Sequence, residues 1–276
     1  KIVIKQFFYK NNEPDLLEMI KREIINQSEC NKANLIVPFL GISFEDLHKQ
    51  PLQIPLLIIG YEEGGSLTIL NKNSIDDVQK MIIIYGIAKG VQFLHHVPIC
   101  HRDLNPNNIL LDSNKYPLIC DFGTSRQFSQ VHLIYATQRG TANYMSPEML
   151  SENGMISEYL LPSDIFSFAT VIYNLLTNIN PYDNDIEKKR INFYVISRFL
   201  NSGNRIKLPD LIPSWFRYLI ELCWKQNPLE RPTIDDIVNL FDAGIALPLV
   251  YEKKEKYFEY LNNHLHLNIE NINEDT

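Results

Sequence analysis

Glycine is scarce and unevenly placed. There are eleven in 276 residues and none precedes Gly41, so the first forty residues hold no glycine-rich turn of the kind that cradles phosphate. The four cysteines (Cys30, Cys100, Cys120, Cys223) show no CxxC spacing and no nearby ligand cluster. That excludes a zinc ribbon or a dithiol motif and reads as reduced, buried thiols of a cytoplasmic protein. Seven histidines, among them the pair His95-His96, also lack metal-ligand spacing. Positive charge is not in excess: 26 Lys and Arg face 33 Asp and Glu, a net −7 that argues against nucleic acid as a partner. The longest apolar runs, such as 56–59 and 81–84, are too short to cross a bilayer, so no membrane span is expected. No secretory signal is visible, because Lys1-Ile2-Val3-Ile4-Lys5 reads as a strand.

What is present is an ordinary globular composition, 45% hydrophobic and 21% charged, in a chain long enough for one large domain or two lobes. Residues 1–9 carry strand-like apolar positions (Ile2, Val3, Ile4, Phe7, Phe8). Pro14 opens a helical pattern with Leu17, Ile20 and Ile24 on one face. Strands are expected at 35–40 and 56–61, followed by a flexible turn over 62–66. From Ser74 the character becomes helical. Ser74 and Asp77 form a capping-box-like start, and Val78, Met81, Ile82, Tyr85 and Val91 recur at helical spacing. Further helices are expected at 163–176, 194–200, 214–224 and 233–241. The charged tail after Pro248 reads as a solvated helix with a frayed end.

Chemistry concentrates in His101-Arg102-Asp103-Leu104-Asn105-Pro106-Asn107-Asn108, a polar loop that runs into the apolar Ile109-Leu110-Leu111. Asp121-Phe122-Gly123 follows thirteen residues after Asn108. One carboxylate beside a hydroxyl substrate, with an Asn and a second Asp aimed at metal, is what phosphoryl transfer from Mg-ATP requires. At these residues the chain resembles the eukaryotic protein kinase family. The resemblance implies an α+β fold of two lobes with ATP between them: residues 1–61 as a small sheet lobe with one helix, 62–248 as a larger helical lobe, and 249–276 as a tail. It assigns Asp103 as catalytic base and Asn108 and Asp121 as ligands of Mg²⁺. Lys5, in Ile2-Val3-Ile4-Lys5, would hold the ATP phosphates and pair with Glu23, or alternatively Glu18. Ile59, Gly60 and Tyr61 would form the hinge beside the adenine, with Val3 and Leu110 sandwiching the base. Ser146-Pro147-Glu148 resembles the end of an activation segment, its Glu148 pairing with Arg231. Asp164 would hold the catalytic-loop backbone and double as a helix cap.

Within 121–148, Thr124, Ser125, Ser129, Tyr135, Thr137 and Thr141 are candidate phosphate acceptors for an upstream kinase, and Arg102 would receive the phosphate. Gly140-Thr141-Ala142-Asn143-Tyr144 resembles a Ser/Thr-type substrate loop, and the run from Cys223 to Thr233 resembles the tyrosine-kinase-like group. The function implied is a Ser/Thr kinase acting on a protein substrate. Three departures stand against that pattern. Asn105 occupies a position where such kinases carry Lys, Gln27 stands where an apolar contact to Phe122 is expected, and the Gly-rich loop over the phosphates is missing. The last is expected to reflect truncation ahead of Lys1. The alternative is a pseudokinase that binds partners without catalysis.

Overall fold

The computed structural model describes residues 1–7, 16–70, 75–127, 133–134, 141–151, 155–183 and 192–244, with Glu255, Tyr257, Glu259 and Tyr260 in a C-terminal helical stretch. The small lobe is a three-stranded antiparallel sheet, β1 (Ile2–Lys5), β2 (Phe39–Glu45) and β3 (Pro51–Gly60), in the order β1-β3-β2 with helix α1 (Leu16–Glu29). Phe8 and Pro14 lie outside the described residues. In β1, Lys5 pairs with Leu57 and Val3 with Ile59, so these four share one face of the sheet by the two-residue alternation of strands. Pro55 interrupts no ladder. β1 pairs only from Leu57 onward, and the β2 register slips between Ser43 and Glu45.

The expected strand at 35–40 is corrected. Pro38 has no amide to donate, and the regular strand begins only at Phe39. Leu35, Ile36 and Val37 instead sink into the core beside β7 (Pro117–Ile119). There Val37 N–H donates to the Ile119 carbonyl at 2.9 Å and Ile119 N–H to the Leu35 carbonyl at 2.9 Å. The buried stripe of α1 is rotated as well. Leu17 is exposed, and the face turned inward is Leu16, Ile20, Glu23, Asn26 and Gln27.

The large lobe is built on α2 (Asp77–His96), α3 (Leu160–Thr177), α4 (Phe193–Asn201), α5 (Ser214–Cys223) and α6 (Ile234–Asp242). Short strands complete it: β4 (Gly65–Ser66) and β6 (Ile109–Leu111) with β7, β5 (Ile99–Cys100) with β8 (Arg126–Gln127), and β9 (Leu133–Ile134) with β10 (Met155–Ile156). The cap of α2 is Asp76, whose carboxylate accepts from Gln79 N–H; Ser74 lies outside the described residues. Thr233 and Asp236 form a reciprocal capping box on α6. Helix α3 is apolar and long enough to cross a bilayer by composition, but here it is a core helix, buried along most of its length. It starts at Leu160, so Asp164 sits inside its first turns and is not its cap.

The tail also departs from a solvated reading. Tyr257 and Tyr260 are 2% and 1% exposed. The Tyr260 ring lies 4.5 Å from that of Tyr116, and the Tyr257 ring 6.2 Å from that of Tyr85 on α2. A Cβ on Gly86 would stand 2.3 Å from the Tyr260 hydroxyl and 2.5 Å from Pro117, so only glycine leaves α2 this close to both.

Candidate active site

β5 delivers the chain into the loop that begins at His101. Arg102 turns through the left-handed region (φ 68°), a conformation that costs energy for a side chain with a Cβ. Asp164 on α3 holds that turn: its carboxylate accepts from the backbone N–H of His101 at 2.8 Å and of Arg102 at 2.9 Å, and contacts His95 Nε2 at 3.2 Å. Burial alone would push the Asp164 carboxyl up. The hydrogen bond from His95, the nearby His95 and His101 and the Arg102 amide outweigh it, so the group lies below the ordinary carboxylate value.

Next along the loop, Asp103 is clamped by neutral donors. Its Oδ1 accepts from Asn105 Nδ2 at 2.8 Å and from Thr141 N–H at 3.1 Å, and its Oδ2 accepts from Asn108 Nδ2 at 2.9 Å. Asn105 is buried and uses both ends of its amide, because its Oδ1 accepts from Asn107 N–H at 2.9 Å to cap the 3₁₀ turn Pro106–Asn108. Nothing in the sequence signals that second role except an Asn directly before the Pro that opens a polar turn.

β6 and β7 then return the chain to Asp121. The amide of Cys120 donates to the Asn108 carbonyl at 2.9 Å, and its carbonyl meets His101 Nε2 at 3.0 Å, stitching the two loops together. Asp121 is also left-handed (φ 66°). Its Oδ1 accepts from Lys5 Nζ at 2.7 Å, and the same ammonium reaches Glu23 Oε1 at 2.5 Å. Glu18 is exposed, so α1 offers Glu23 as the partner of Lys5. Burial pulls the Lys5 amine down, but Glu23 and Asp121 outweigh it and hold it above the ordinary lysine value. Burial dominates at Glu23, which lies above its ordinary value despite Lys5. At the more exposed Asp121, burial pushes up, yet Lys5 prevails and the carboxyl lies below the ordinary range.

Asn108 Oδ1 and Asp121 Oδ2 accept no hydrogen bond from any described residue. Two free hard oxygens, one amide and one carboxylate, suit Mg²⁺, which keeps few protein ligands and completes its shell with water and phosphate. Among the described residues no cluster of three or more His, Cys, Asp or Glu forms an all-protein metal cage.

Of the residues expected around an adenine, Val3 and Ile59 lie on the same sheet face as Lys5, and Leu110 is half-buried in β6. The Gly60 amide is already committed to the Pro38 carbonyl at 2.8 Å, while Tyr61 stands exposed beyond the end of β3. Gln27, expected to disturb the contact with Phe122, is buried and donates to the Val37 carbonyl at 3.2 Å. Phe122 is fully buried, 5.4 Å from the His101 ring. Arg231 forks onto Glu148 at 2.7 and 2.8 Å and also donates to the carbonyls of Pro162 and Lys225. Thr124 and Ser125 direct their hydroxyls inward to the carbonyls of His101 and Phe122. Ser129, Tyr135 and Thr137 lie outside the described residues.

A sequence profile described as "Protein kinase domain" matches residues 1–240. The chain is 28% identical over 260 residues to "Probable serine/threonine-protein kinase drkD" of Dictyostelium discoideum, covering 92% of this chain and 19% of that protein. It is 26% identical over 246 residues to "Serine/threonine-protein kinase CTR1" of Arabidopsis thaliana, covering 87% of this chain and 28% of that protein. Against "Putative serine/threonine-protein kinase/receptor R826" of Acanthamoeba polyphaga mimivirus the identity is 30% over 242 residues, 86% of this chain and 14% of that protein. The chain therefore spans less than a third of the length of each of these relatives. With a profile match over most of its length and two lobes that bring Lys5, Glu23 and Asp121 together, the chain belongs to the protein kinase domain family.

Proposed function

We propose that this domain transfers the γ-phosphoryl group of Mg-ATP to serine or threonine hydroxyls of a protein substrate. The observation that carries the reading is the Lys5 ammonium held between Glu23 and Asp121, in a site whose third carboxylate, Asp103, is fixed by three amide donors. In this reading Asp103 accepts the substrate hydroxyl proton as the hydroxyl oxygen bonds to the γ-phosphorus and the bond to the β-phosphate oxygen breaks. Lys5 holds phosphate oxygens, and the Val3, Ile59 and Leu110 side chains supply apolar contact to the base. Mg²⁺, held by Asn108 and Asp121, would neutralise charge on the phosphates when bound. Serine/threonine specificity rests on the Thr141 loop and on the named relatives.

An upstream kinase is part of the proposal. Arg102 is buried, donates to the Thr124 carbonyl at 3.2 Å, and its Nε has no hydrogen-bond partner among the described residues. A phosphate on the 121–148 segment would supply that partner. The four cysteines are all buried free thiols, which supports a reducing, cytoplasmic setting.

A second reading, binding without catalysis, is favoured by the neutral Asn105 beside Asp103. The test is transfer of labelled phosphate from Mg-ATP to a generic protein substrate by the full-length protein, with Asp103→Asn beside it. Transfer that vanishes in Asp103→Asn is expected. A folded, ATP-binding protein that transfers nothing would replace the catalytic reading with the second.

A further inference from the structure

The inward face of α1 changes chemistry along its length. Leu16 and Ile20 are apolar, but the next three buried positions are Glu23, Asn26 and Gln27, each 1% exposed. Apolar burial grips the first turns, and polar bonds hold the turns that carry Glu23. Gln27 anchors to the Val37 carbonyl and Glu23 to Lys5. Asn26 reaches further: its Nδ2 donates at 2.8 Å to the hydroxyl of Ser125, which is fully buried four residues past Asp121. The Ser125 hydroxyl has one proton and gives it to the Phe122 carbonyl at 2.6 Å, so toward Asn26 it acts as acceptor. Meanwhile Glu23 Oε2 lies 3.2 Å from where a Cβ on Gly123 would stand. One turn of α1 thus straddles the 121–125 turn, touching it through Lys5 at one end and through Asn26 at the other.

We propose that Asn26 and Ser125 form a latch that positions Glu23 and, through Lys5, Asp121. They are positioning residues for phosphoryl transfer, an inference that rests on the kinase reading of this site. The latch is a weak one. Asn26 Oδ1 has no hydrogen-bond partner among the described residues, so the docked helix leaves one buried acceptor unmet.

The test uses Ser125→Ala, Asn26→Leu and the double variant in the full-length protein. Three quantities are read: kcat against KM for ATP, amide exchange across residues 20–27, and the melting temperature. Ser125→Ala strands a buried amide and is expected to lower kcat about tenfold, with KM changing less and α1 exchanging faster. The double variant removes both polar partners together and is expected to recover much of the loss, because nothing is left stranded. Single losses that simply multiply in the double variant would overturn the latch. So would a lowered melting temperature with kcat and α1 exchange unchanged, which would leave the pair a purely structural role. If the parent protein transfers no phosphate, the kinase reading fails separately and exchange decides alone. Protection of α1 lost in Ser125→Ala and regained in the double variant sustains the latch; unchanged protection sinks it.

Discussion

Among the described residues, the donors that reach Asp103 are two side-chain amides and one backbone N–H, and none is a cation. Phosphoryl transfer spreads negative charge over the equatorial oxygens, so a preorganised cation in this position carries weight. By analogy with a single oxyanion donor, its absence costs a factor of about 10²–10³ in rate. Asn105→Lys is therefore expected to raise kcat, while losing the amide that caps Asn107 N–H, at a cost of about 1 kcal/mol in stability. Initial rates and thermal melts of the two proteins check both halves; a flat kcat would mean that another cation serves the γ-phosphate. Lys5, Asp103, Asn108 and Asp121 are legible in the sequence because their order and spacing recur as a set. Glu23 is legible only to within two turns, and burial separates it from Glu18. The bond between Asn26 and Ser125 is not legible. An Asn on a helix and a Ser in a loop are ordinary residues, and nothing local says that they meet across 99 positions.

The elements of the large lobe are tied to one another by a few buried charges. Arg231 has a side chain with no exposure and is forked onto Glu148, which is 10% exposed, while it also donates to the Pro162 carbonyl in the first turn of α3. Removing one member strands the other in a low-dielectric site, so Arg231→Ala is expected to destabilise the fold by about 3–5 kcal/mol. Urea unfolding reads this directly, and an unchanged midpoint would show that Glu148 finds water or a new donor. The helices of this lobe are readable within a few residues because each shows an apolar period, and α4 and α6 add a visible cap, Asn192 and Thr233. Residues 35–37 are misread for a physical reason. Their apolar run looks like a sheet strand, yet Pro38 breaks the ladder, and the segment pairs with β7 through one isolated bridge. For Asp164 the hold on the catalytic-loop backbone is legible and only the capping role fails, because a carboxylate near a helix start resembles a cap while its oxygens accept from the amides of His101 and Arg102.

Across the whole molecule, the profile match ends at residue 240, yet Tyr257 and Tyr260 are buried beyond it. The charged run 252–256 stands out in the tail, and two aromatic anchors three residues apart are easily lost beside it. They dock where α2 meets β7. α2 runs into β5 and the catalytic loop, and β7 runs into Asp121, so the docked tail braces both elements that feed the site. Tyr260 fits because Gly86 offers no Cβ, and the fit makes a paired test possible. Tyr260→Ala vacates an aromatic site and is expected to cost about 3–5 kcal/mol, the range for burying and losing a large ring. Gly86→Ala puts a methyl against both the Tyr260 hydroxyl and Pro117, and is expected to destabilise too. In the double variant the methyl meets only Pro117, so the combined loss should fall short of the sum of the two single losses. A chain ended at Gly244 should lose at least as much as Tyr260→Ala. Melting temperatures of the four proteins against the parent settle it. Full additivity would separate Tyr260 from Gly86, and a shortened chain as stable as the parent would mean that the tail contributes nothing to the lobe it covers.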